Sequence, residues 1–411
     1  MPSIYITIGF VPSIIIIIDF VASILLFLLL FDFGFNVFDF YNFMREYLIA
    51  LNSIDGLGPV RIRRLLECFG TPEGALKAPP SLLADKKLIP ASSVKAFQQA
   101  EKLIDDARAQ LDFCAQNGIS VLIQADDGYP ACLKEIFAPP PVLYVRGDPE
   151  ALRAHALAVV GTRGPTPYGL SCTRALVGEL CGRVAIVSGL ARGIDTAAHE
   201  RCLEMGGRTV AVLGCGVDRA YPPENKELAE RVCGRGALVS EFPPGTVPEA
   251  YNFPRRNRVI SGMSCGVIVV EAGEKSGALI TADYALQQNR VVFAVPGPIN
   301  SPVSGGTFRL IKDGAVPVRS SQDIFEHISA VTFAPMLAAP PQKIRSEAPP
   351  APELAGEESA VWDTLSDEPA RVDTIAEASG VEVPRLLGIL LNLELKGFIS
   401  QSGGQQFRRS L

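Results

Sequence analysis

The chain of 411 residues contains no Cys-x-x-Cys pair and only three histidines. Its nine cysteines are odd in number and irregularly spaced, which excludes a regular disulfide framework and the ligand spacing of a zinc site. We therefore expect reduced thiols, as in a cytoplasmic protein, and no metal centre. Histidines that are so few and so far apart also give little support to hydrolytic catalysis, which needs a nucleophile beside a base.

An excess of positive charge is also absent. Lysine and arginine together number 38 against 44 aspartates and glutamates, so the formal net charge is -6. A chain with this balance has no bulk positive field. Any contact with nucleic acid must therefore come from a local basic patch.

The first 43 residues contain no lysine or arginine and differ in composition from the rest of the chain. They hold nine of the 21 phenylalanines, and their apolar stretch is long enough for a membrane span. They lack the basic flank of a signal peptide, and Asp32 and Asp39 stand where an anchor usually carries lysine or arginine. We expect Met44 to be the true start and residues 1–43 to be upstream sequence. A membrane anchor is the competing interpretation.

Residues 44–118 have a helical pattern. In it, Gly56, Leu57 and Gly58 precede a helix that Pro59 opens. This order is typical of a helix-hairpin-helix turn, which offers backbone N–H groups to a DNA phosphate. The alternative is a helical bundle in which the glycines only let two helices approach each other.

Residues 119–328 alternate short apolar runs with segments of helix length. The runs predicted as strands are Leu157–Val160, Val184–Val187, Thr209–Leu213, Ala237–Val239, Val267–Val270 and Val291–Val295. This alternation predicts a doubly wound α/β domain, in which helices cover both faces of a parallel sheet. Ligands of such folds bind outside the carboxyl ends of the strands. The run Val142–Val145 is expected to extend the sheet at one edge.

The last part of the chain changes character twice. Residues 329–359 are rich in proline and alanine and are expected to form a flexible linker. Residues 360–411 have the order helix, helix, helix and β-hairpin, which predicts a winged-helix domain. Its third helix is mostly leucine, and Arg385 and Asn392 are too few for base readout. A protein contact or a packing role is expected for this helix.

A loop of glycine and small polar residues follows each strand predicted in the α/β domain. Small residues let backbone amides approach a ligand, and a following helix N terminus adds its positive dipole. Because these loops recur at the same end of several strands, they predict an anion-binding crevice. The candidate binding residues are Arg163, Ser188, Gly189, Ala191, Arg192, Gly193, Arg256, Asn257, Arg258, Lys275, Ser276 and Gly277.

Three arginines, two of them candidates, and one asparagine lie close together after Phe253. Arginine meets phosphate oxygens in a fork that lysine cannot match. Arg256 and Asn257 could instead cap and brace the edge of the sheet. Arg255 and Arg258 cannot both share the helix face of Arg256, so at least one of them is expected to face solvent.

The acids and the histidine near the crevice are expected to be structural. Asp195 is expected to cap the start of a helix or to brace Arg192, and His199 to be packed and hydrogen-bonded. The remaining nearby acids are Glu271, Glu274 and Asp283. They have no metal-ligand spacing, so we expect a site without enzymatic activity, metal or cofactor.

Seven motifs occur in order within residues 155–328: GTR, SGLARGIDTAAH, LGCGVDRAYPPEN, SEFPPG, FPRRNRVIS, VVEAGEKSGALITADYAL and FAVPGP. Their order and spacing closely resemble the DNA-processing protein A family, called DprA or Smf. The resemblance covers Met44 to the C terminus. It implies a Rossmann-like domain that binds and protects single-stranded DNA and hands it to a RecA-type recombinase in natural transformation. It also implies a homodimer formed through that domain, a sterile-alpha-motif-like (SAM-like) helical domain in front and a winged helix behind.

One position departs from the family pattern. The family usually has Gly-x-Asn before a Leu-Ile pair, and here Phe308 stands where the asparagine is expected. The polar contact of that amide is therefore in doubt. An aromatic ring could instead stack on a base.

Two other classes of function remain open at this point. Phosphoribohydrolases of the LOG type use similar glycine-rich loops, with Gly-Gly-x-Gly-Thr holding a nucleoside monophosphate. The matching segment here, Glu274–Ile280, lacks that loop. The third class is a scaffold whose arginines serve the dimer, and the polar strand ends argue against it.

Overall fold

The computed structural model describes residues 37–85, 87–328, 354, 356–366, 370–395, 398–402 and 406–409. These residues fall into two compact units, which divide between residues 342 and 343. Most of the predicted upstream segment and nearly all of the predicted linker lie outside the described residues. Within the described part, no helix is both long and apolar enough to cross a membrane.

Helices fill the start of the first unit, as the sequence predicts. They are α1 (Val37–Asn52), α2 (Pro59–Phe69), α3 (Pro72–Leu76), α4 (Pro80–Asp85), α5 (Val94–Phe97) and α6 (Ala100–Gln116). The turn before α2 contains Gly56 at φ +83°, a conformation that favours glycine. A Cβ on Gly56 would meet Pro90 at 3.0 Å, and the Ser93 hydroxyl donates to the Asp55 carbonyl at 2.6 Å. These contacts support a packing role for the glycine turn.

The rest of the first unit is built on a nine-stranded sheet. Its strands are β1 (Ile119–Ile123), β2 (Val142–Gly147), β3 (Ala156–Val160), β4 (Ala185–Ser188), β5 (Thr209–Val212), β6 (Ala237–Ser240), β7 (Gly266–Val269), β8 (Val291–Ala294) and β9 (Val316–Pro317). Their order is β1-β2-β6-β5-β4-β3-β7-β8-β9. Strands β3 to β9 are parallel, whereas β1 and β2 add to one edge in antiparallel pairing. All six predicted strands and the edge extension are confirmed. The outermost strand β1 and the short β9 were not predicted.

Helices cover both faces of the sheet. They are α7 (Ala131–Lys134), α8 (Pro167–Leu180), α9 (Ile194–Glu204), α10 (Lys226–Cys233), α11 (Asn252–Gly262), α12 (Gly277–Gln287), α13 (Gly305–Lys312) and α14 (Ser321–His327). In β3, Leu157 and Val159 pack in one core cluster, while Ala158 and Val160 pack in another. A strand buried on both faces needs a continuous apolar run, which is why the sequence pattern is so clear.

The order of the strands reverses at β3. The chain runs from β3 through β4 and β5 to β6 on one side, and then returns to β7 on the other. The loops that leave β3 and β7 therefore diverge at their carboxyl ends. In a doubly wound sheet this divergence opens a crevice for a ligand.

The second unit has the predicted winged-helix order. It contains α15 (Glu357–Thr364), β10 (Ala370–Arg371), α16 (Val372–Ser379), α17 (Val383–Leu395), β11 (Ile399–Ser402) and β12 (Gln406–Arg409). The three strands pair in the order β10-β12-β11. Leu386, Leu390 and Leu393 of α17 are fully buried in the core of this unit.

Neighbouring leucines of α17 should differ sharply in their effect on stability. Leu390→Ala removes a fully buried side chain and should lower the free energy of unfolding by about 2–5 kcal/mol. Leu391 is 57% exposed, and Leu391→Ala should change it by no more than ~0.5 kcal/mol. The fluorescence of Trp362, the single tryptophan of the chain, reports unfolding of this unit in a denaturant titration. Equal losses in the two variants would contradict the packing of α17.

Candidate functional site

A cavity of about 800 Å³ lies at the carboxyl ends of β3 and β7, where the strand order reverses. Three segments form its walls: the loop after β3, helix α11, and the loop that leads from β7 into α12. A small recess adjoins it beside the loop after β4. The candidate residues that line the cavity or the recess are Arg163, Gly189, Ala191, Arg192, Arg256, Asn257, Lys275, Ser276 and Gly277.

Two exposed cations stand at the cavity. Arg163 follows β3, and Lys275 precedes α12. The Arg163 guanidinium lies 5.8 Å from the ring centroid of Phe253. Among the described residues, neither cation forms an ion pair, so both are available to an anion.

The start of α12 also faces the cavity. Ser276 is its N-cap, and the Ser276 hydroxyl accepts a hydrogen bond from the Ala278 amide at 3.3 Å. Gly277 opens this helix of 11 residues. The positive end of the helix dipole therefore adds to the potential of Lys275 beside it.

The carboxylate of Glu271 holds the loop that carries Arg163. Glu271 is 1% exposed, and its side chain accepts hydrogen bonds from the amide and the hydroxyl of Thr166. The Thr162 amide donates to the Glu271 carbonyl at 2.7 Å. Glu271 thus fixes the loop on both sides of Arg163, and it does not line the cavity.

Arg256 is both a wall of the cavity and a brace beneath it. Its side chain is buried, and Nη1 donates to the carbonyls of Gly189 and Val212, each at 2.6 Å. Nε donates to Asn257 Oδ1 at 3.2 Å. Burial lowers the pKa of Arg256 from its ordinary value, and the Asp195 carboxylate opposes that shift. The contacts of Arg256 therefore agree with the alternative interpretation, in which this residue braces the sheet.

Asn257 ties α11 to α12. Its Nδ2 donates to the Gly277 carbonyl at 3.3 Å, and the residue is 8% exposed. Like Arg256, it lines the cavity while its amide is engaged inside the protein. Its position supports the walls of the cavity.

The loop after β4 is held by Asp195. The carboxylate of Asp195 accepts the amides of Gly189 at 3.1 Å and Ala191 at 3.3 Å. Burial raises the pKa of Asp195, whereas Arg256 and the two amides lower it. The predicted phosphate contact of the Gly189 to Gly193 amides therefore has no support at Gly189 and Ala191, because the protein's own carboxylate accepts both of these amides. Asp195 does not brace Arg192 either.

Arg192 is paired elsewhere. Its Nε forms a hydrogen-bonded ion pair with Glu224, and both side chains are about half exposed. An exposed pair of this kind is weak, so a phosphate could replace the glutamate. Arg192 lies at the recess, apart from the wall that Lys275 forms.

The structure corrects the prediction for Arg258. Its guanidinium donates to the Ala138 carbonyl and to the carboxylate of Glu241, and both side chains of this ion pair are buried. Arg258 does not line the cavity. Arg255 is exposed instead, which confirms that one of the two arginines faces solvent.

Ser188 and Gly193 also lie outside the cavity lining. The Ser188 hydroxyl is buried and donates to the Val159 carbonyl at 2.6 Å. Gly193 has φ +81°, and a Cβ there would lie 2.4 Å from the Thr162 carbonyl. Both residues shape the strand end rather than offer a contact to a ligand.

Two aromatic residues of the site were not predicted. Phe253 and Tyr221 line the cavity, and their ring centroids are 5.5 Å apart. Their signals in the sequence were the first residue of FPRRNRVIS and the tyrosine of AYPPEN. Phe308 is 65% exposed on α13 and does not line the cavity, so base stacking by Phe308 has no support at this site.

His199 is packed and hydrogen-bonded, as predicted. Thr209 donates its hydroxyl hydrogen to the Ile186 carbonyl at 2.9 Å, so its oxygen accepts a hydrogen bond from His199 Nδ1 at 2.7 Å. The imidazole is fully buried, and burial lowers its pKa to about 3. His199 is therefore neutral in the folded protein at neutral pH.

Acid should destabilise the protein in part through His199. The unfolded chain takes up a proton near pH 6.5, whereas the folded protein does not until about pH 3. Stability is therefore lost as pH falls below 6.5. Between about pH 7.5 and about pH 5.5, wild type should lose about 1.4 kcal/mol more than His199→Gln.

Denaturant titrations at the two pH values measure this difference. His327→Gln is the matched control, because it removes an exposed histidine of the same unit. The assignment fails if His199→Gln and wild type lose the same amount.

Comparisons with known proteins give one consistent result. Residues 120–329 match the family described as DNA recombination-mediator protein A, and residues 345–405 match the DprA winged helix domain. Protein Smf of Synechocystis sp. is 34% identical over 403 residues, which cover 90% of this chain and 99% of that protein. Protein Smf of Escherichia coli is 43% identical over 294 residues, or 70% of this chain and 77% of that protein.

A solved structure agrees with these matches. The X-ray structure of DNA processing protein A from Streptococcus pneumoniae has a TM-score of 0.61 at 35% sequence identity. The match covers 69% of this chain and 98% of that one.

Proposed function

Because this chain belongs to the DNA recombination-mediator protein A family, called DprA or Smf, we propose that it binds single-stranded DNA and loads a RecA-type recombinase onto it. The observation that carries the binding proposal is the cavity at the reversal of strand order. Exposed cations, a helix N terminus and aromatic rings meet there. Backbone phosphates and unpaired bases require these groups together.

We assign the phosphates to Arg163, Lys275 and the start of α12. Arg163 and Lys275 are the exposed cations of the large cavity, and each can approach a phosphate without breaking an ion pair. Arg192 provides a further contact at the recess if a phosphate displaces Glu224. Arg256 acts from below, as a buried positive charge that positions the walls.

We assign the bases to Phe253 and Tyr221. The two rings are tilted by 38° to each other and lie beside Arg163. A base can stack on such a ring only when its face is free, which favours a single strand over a duplex. Stacking tolerates any base, so the proposal includes little sequence preference.

The proposed activity is binding without catalysis. Among the described residues that line the cavity, Asp195 is the one acid, and two backbone amides already engage its carboxylate. The lining includes no histidine, cysteine or second carboxylate to form a catalytic pair. The comparisons also favour the DNA-processing family over a phosphoribohydrolase of the LOG type.

The setting of this function is also a proposal. The family resemblance supports a cytoplasmic homodimer that acts in natural transformation. Free cysteines throughout the described residues are compatible with a reducing compartment. No cofactor or metal is part of the proposal.

Loss of Arg163 should weaken DNA binding uniformly across sequences. Arg163→Ala should lower the affinity for a labelled single-stranded oligonucleotide about 10-fold and reduce the salt slope by about 1, because one phosphate contact is lost. Arg174→Ala is the matched control. Arg174 is an exposed arginine of the same unit that pairs with Glu204, away from the cavity. Fluorescence anisotropy over a salt series measures both quantities.

Competition in the same assay separates the two ligand classes. Single-strand binding that resists nucleoside monophosphates and exceeds duplex binding supports the proposal. Monophosphate binding without DNA binding would contradict it, as would wild-type affinity in Arg163→Ala.

Recombinase loading requires a separate assay. The protein should raise the rate at which a RecA-type recombinase assembles on single-stranded DNA coated with a single-strand-binding protein. The rate of ATP hydrolysis by the recombinase measures this assembly. Arg163→Ala should give a smaller increase, because it holds the strand less tightly. An unchanged rate with wild type would refute loading and leave DNA binding intact.

A further inference from the structure

One face of helix α17 in the second unit is apolar and exposed. Val383, Leu387 and Leu391 are 40%, 42% and 57% exposed and follow each other at intervals of four residues. This spacing places them in one row along the helix. Pro384 and Gly388 are exposed in adjacent positions, so no charged side chain interrupts the row. We call these five residues the apolar stripe.

The apolar stripe is poorly suited to nucleic acid. A helix that reads bases needs free basic and amide side chains. Arg385 instead pairs with Glu357 at 2.6 Å, and the Asn392 amide donates to Glu358 at 2.7 Å. The described residues of this unit contain four arginines and seven acidic residues, a net charge of -3. Such a charge repels phosphate.

We propose that the apolar stripe binds an amphipathic helix of another protein, whose apolar face is flanked by lysine or arginine. Apolar side chains spaced by four residues form a ridge, and such ridges pack one helix along another. Nothing lies within 4 Å of the place a Cβ would take on Gly388, so a partner helix can approach closely there.

Charge selects the kind of partner. Glu382 is exposed at the start of α17, and Glu394 lies near its end, so acids stand at both ends of the stripe. Basic flanks on the partner would meet them. A second copy of this unit would present the same acidic surface, which disfavours a contact between copies. The stripe spans ~12 Å, so we expect a weak, reversible complex.

The test uses the full-length protein and a labelled synthetic peptide of about 18 residues, which forms a helix ~27 Å long. Leucine and alanine form its apolar face and lysine its flanks, and a matched peptide carries glutamate in place of lysine. The lysine peptide should bind with a Kd of roughly 1–100 μM and at least about 10-fold tighter than the glutamate peptide. Added salt should weaken this binding.

Variants of the full-length protein locate the site at which the peptide binds. The double variant Leu387→Ser/Leu391→Ser should lose at least about 10-fold in affinity for the lysine peptide. Leu82→Ser is the matched control, since Leu82 is an exposed leucine of the first unit, and should bind as wild type. Denaturation followed by Trp362 fluorescence verifies that the second unit remains folded. Affinity for single-stranded DNA should be unchanged, because the inference is independent of the DNA site.

Several outcomes would overturn the inference. Equal binding of the two peptides, no binding of the lysine peptide, or wild-type affinity in the double variant would each do so. If the double variant instead converts a dimer to a monomer in sedimentation velocity, the stripe joins two copies. If it loses affinity for duplex DNA, the stripe belongs to a nucleic-acid surface.

Discussion

The buried guanidinium of Arg256 joins the ends of β4 and β5 to the wall of the cavity. It donates to one carbonyl at each strand end, and Asp195 supplies the compensating charge. A buried cation without such partners would be very unfavourable, and removal of one member of a buried pair costs about 3–5 kcal/mol. The positions of the loop after β4, of helix α11 and of the cavity between them therefore depend on this network.

A second buried charge plays the same part on the opposite wall. Glu271 fixes the loop after β3, and that loop presents Arg163 to the cavity. The charged residues of the site thus form two groups, one buried and one exposed. Buried Arg256 and Glu271 set the geometry, while exposed Arg163 and Lys275 remain free to meet phosphates. Two arginines of one site, Arg163 and Arg256, can therefore have quite different roles.

The third helix of the second unit differs from a helix that reads DNA bases. The winged-helix order of this unit is intact, yet the basic and amide side chains of its third helix are occupied by glutamates. What remains on the outer face is apolar. The first unit contains the surface that we propose for DNA, and we infer that the second provides a surface for protein.

The sequence by itself determined the six strands β3 to β8, their parallel pairing and the winged-helix order, because strands buried on both faces require continuous apolar runs. It also placed the glycine loops at one end of the sheet. Only the tertiary structure decided which arginines are free. Arg256 and Arg258 belong to the same short motif as Arg255, and Asp195 follows the amides it occupies by a few residues. The partners of Arg256 and Arg258 are Val212, Ala138 and Glu241. They come from distant segments that the fold brings together. A local pattern contains no information on such contacts.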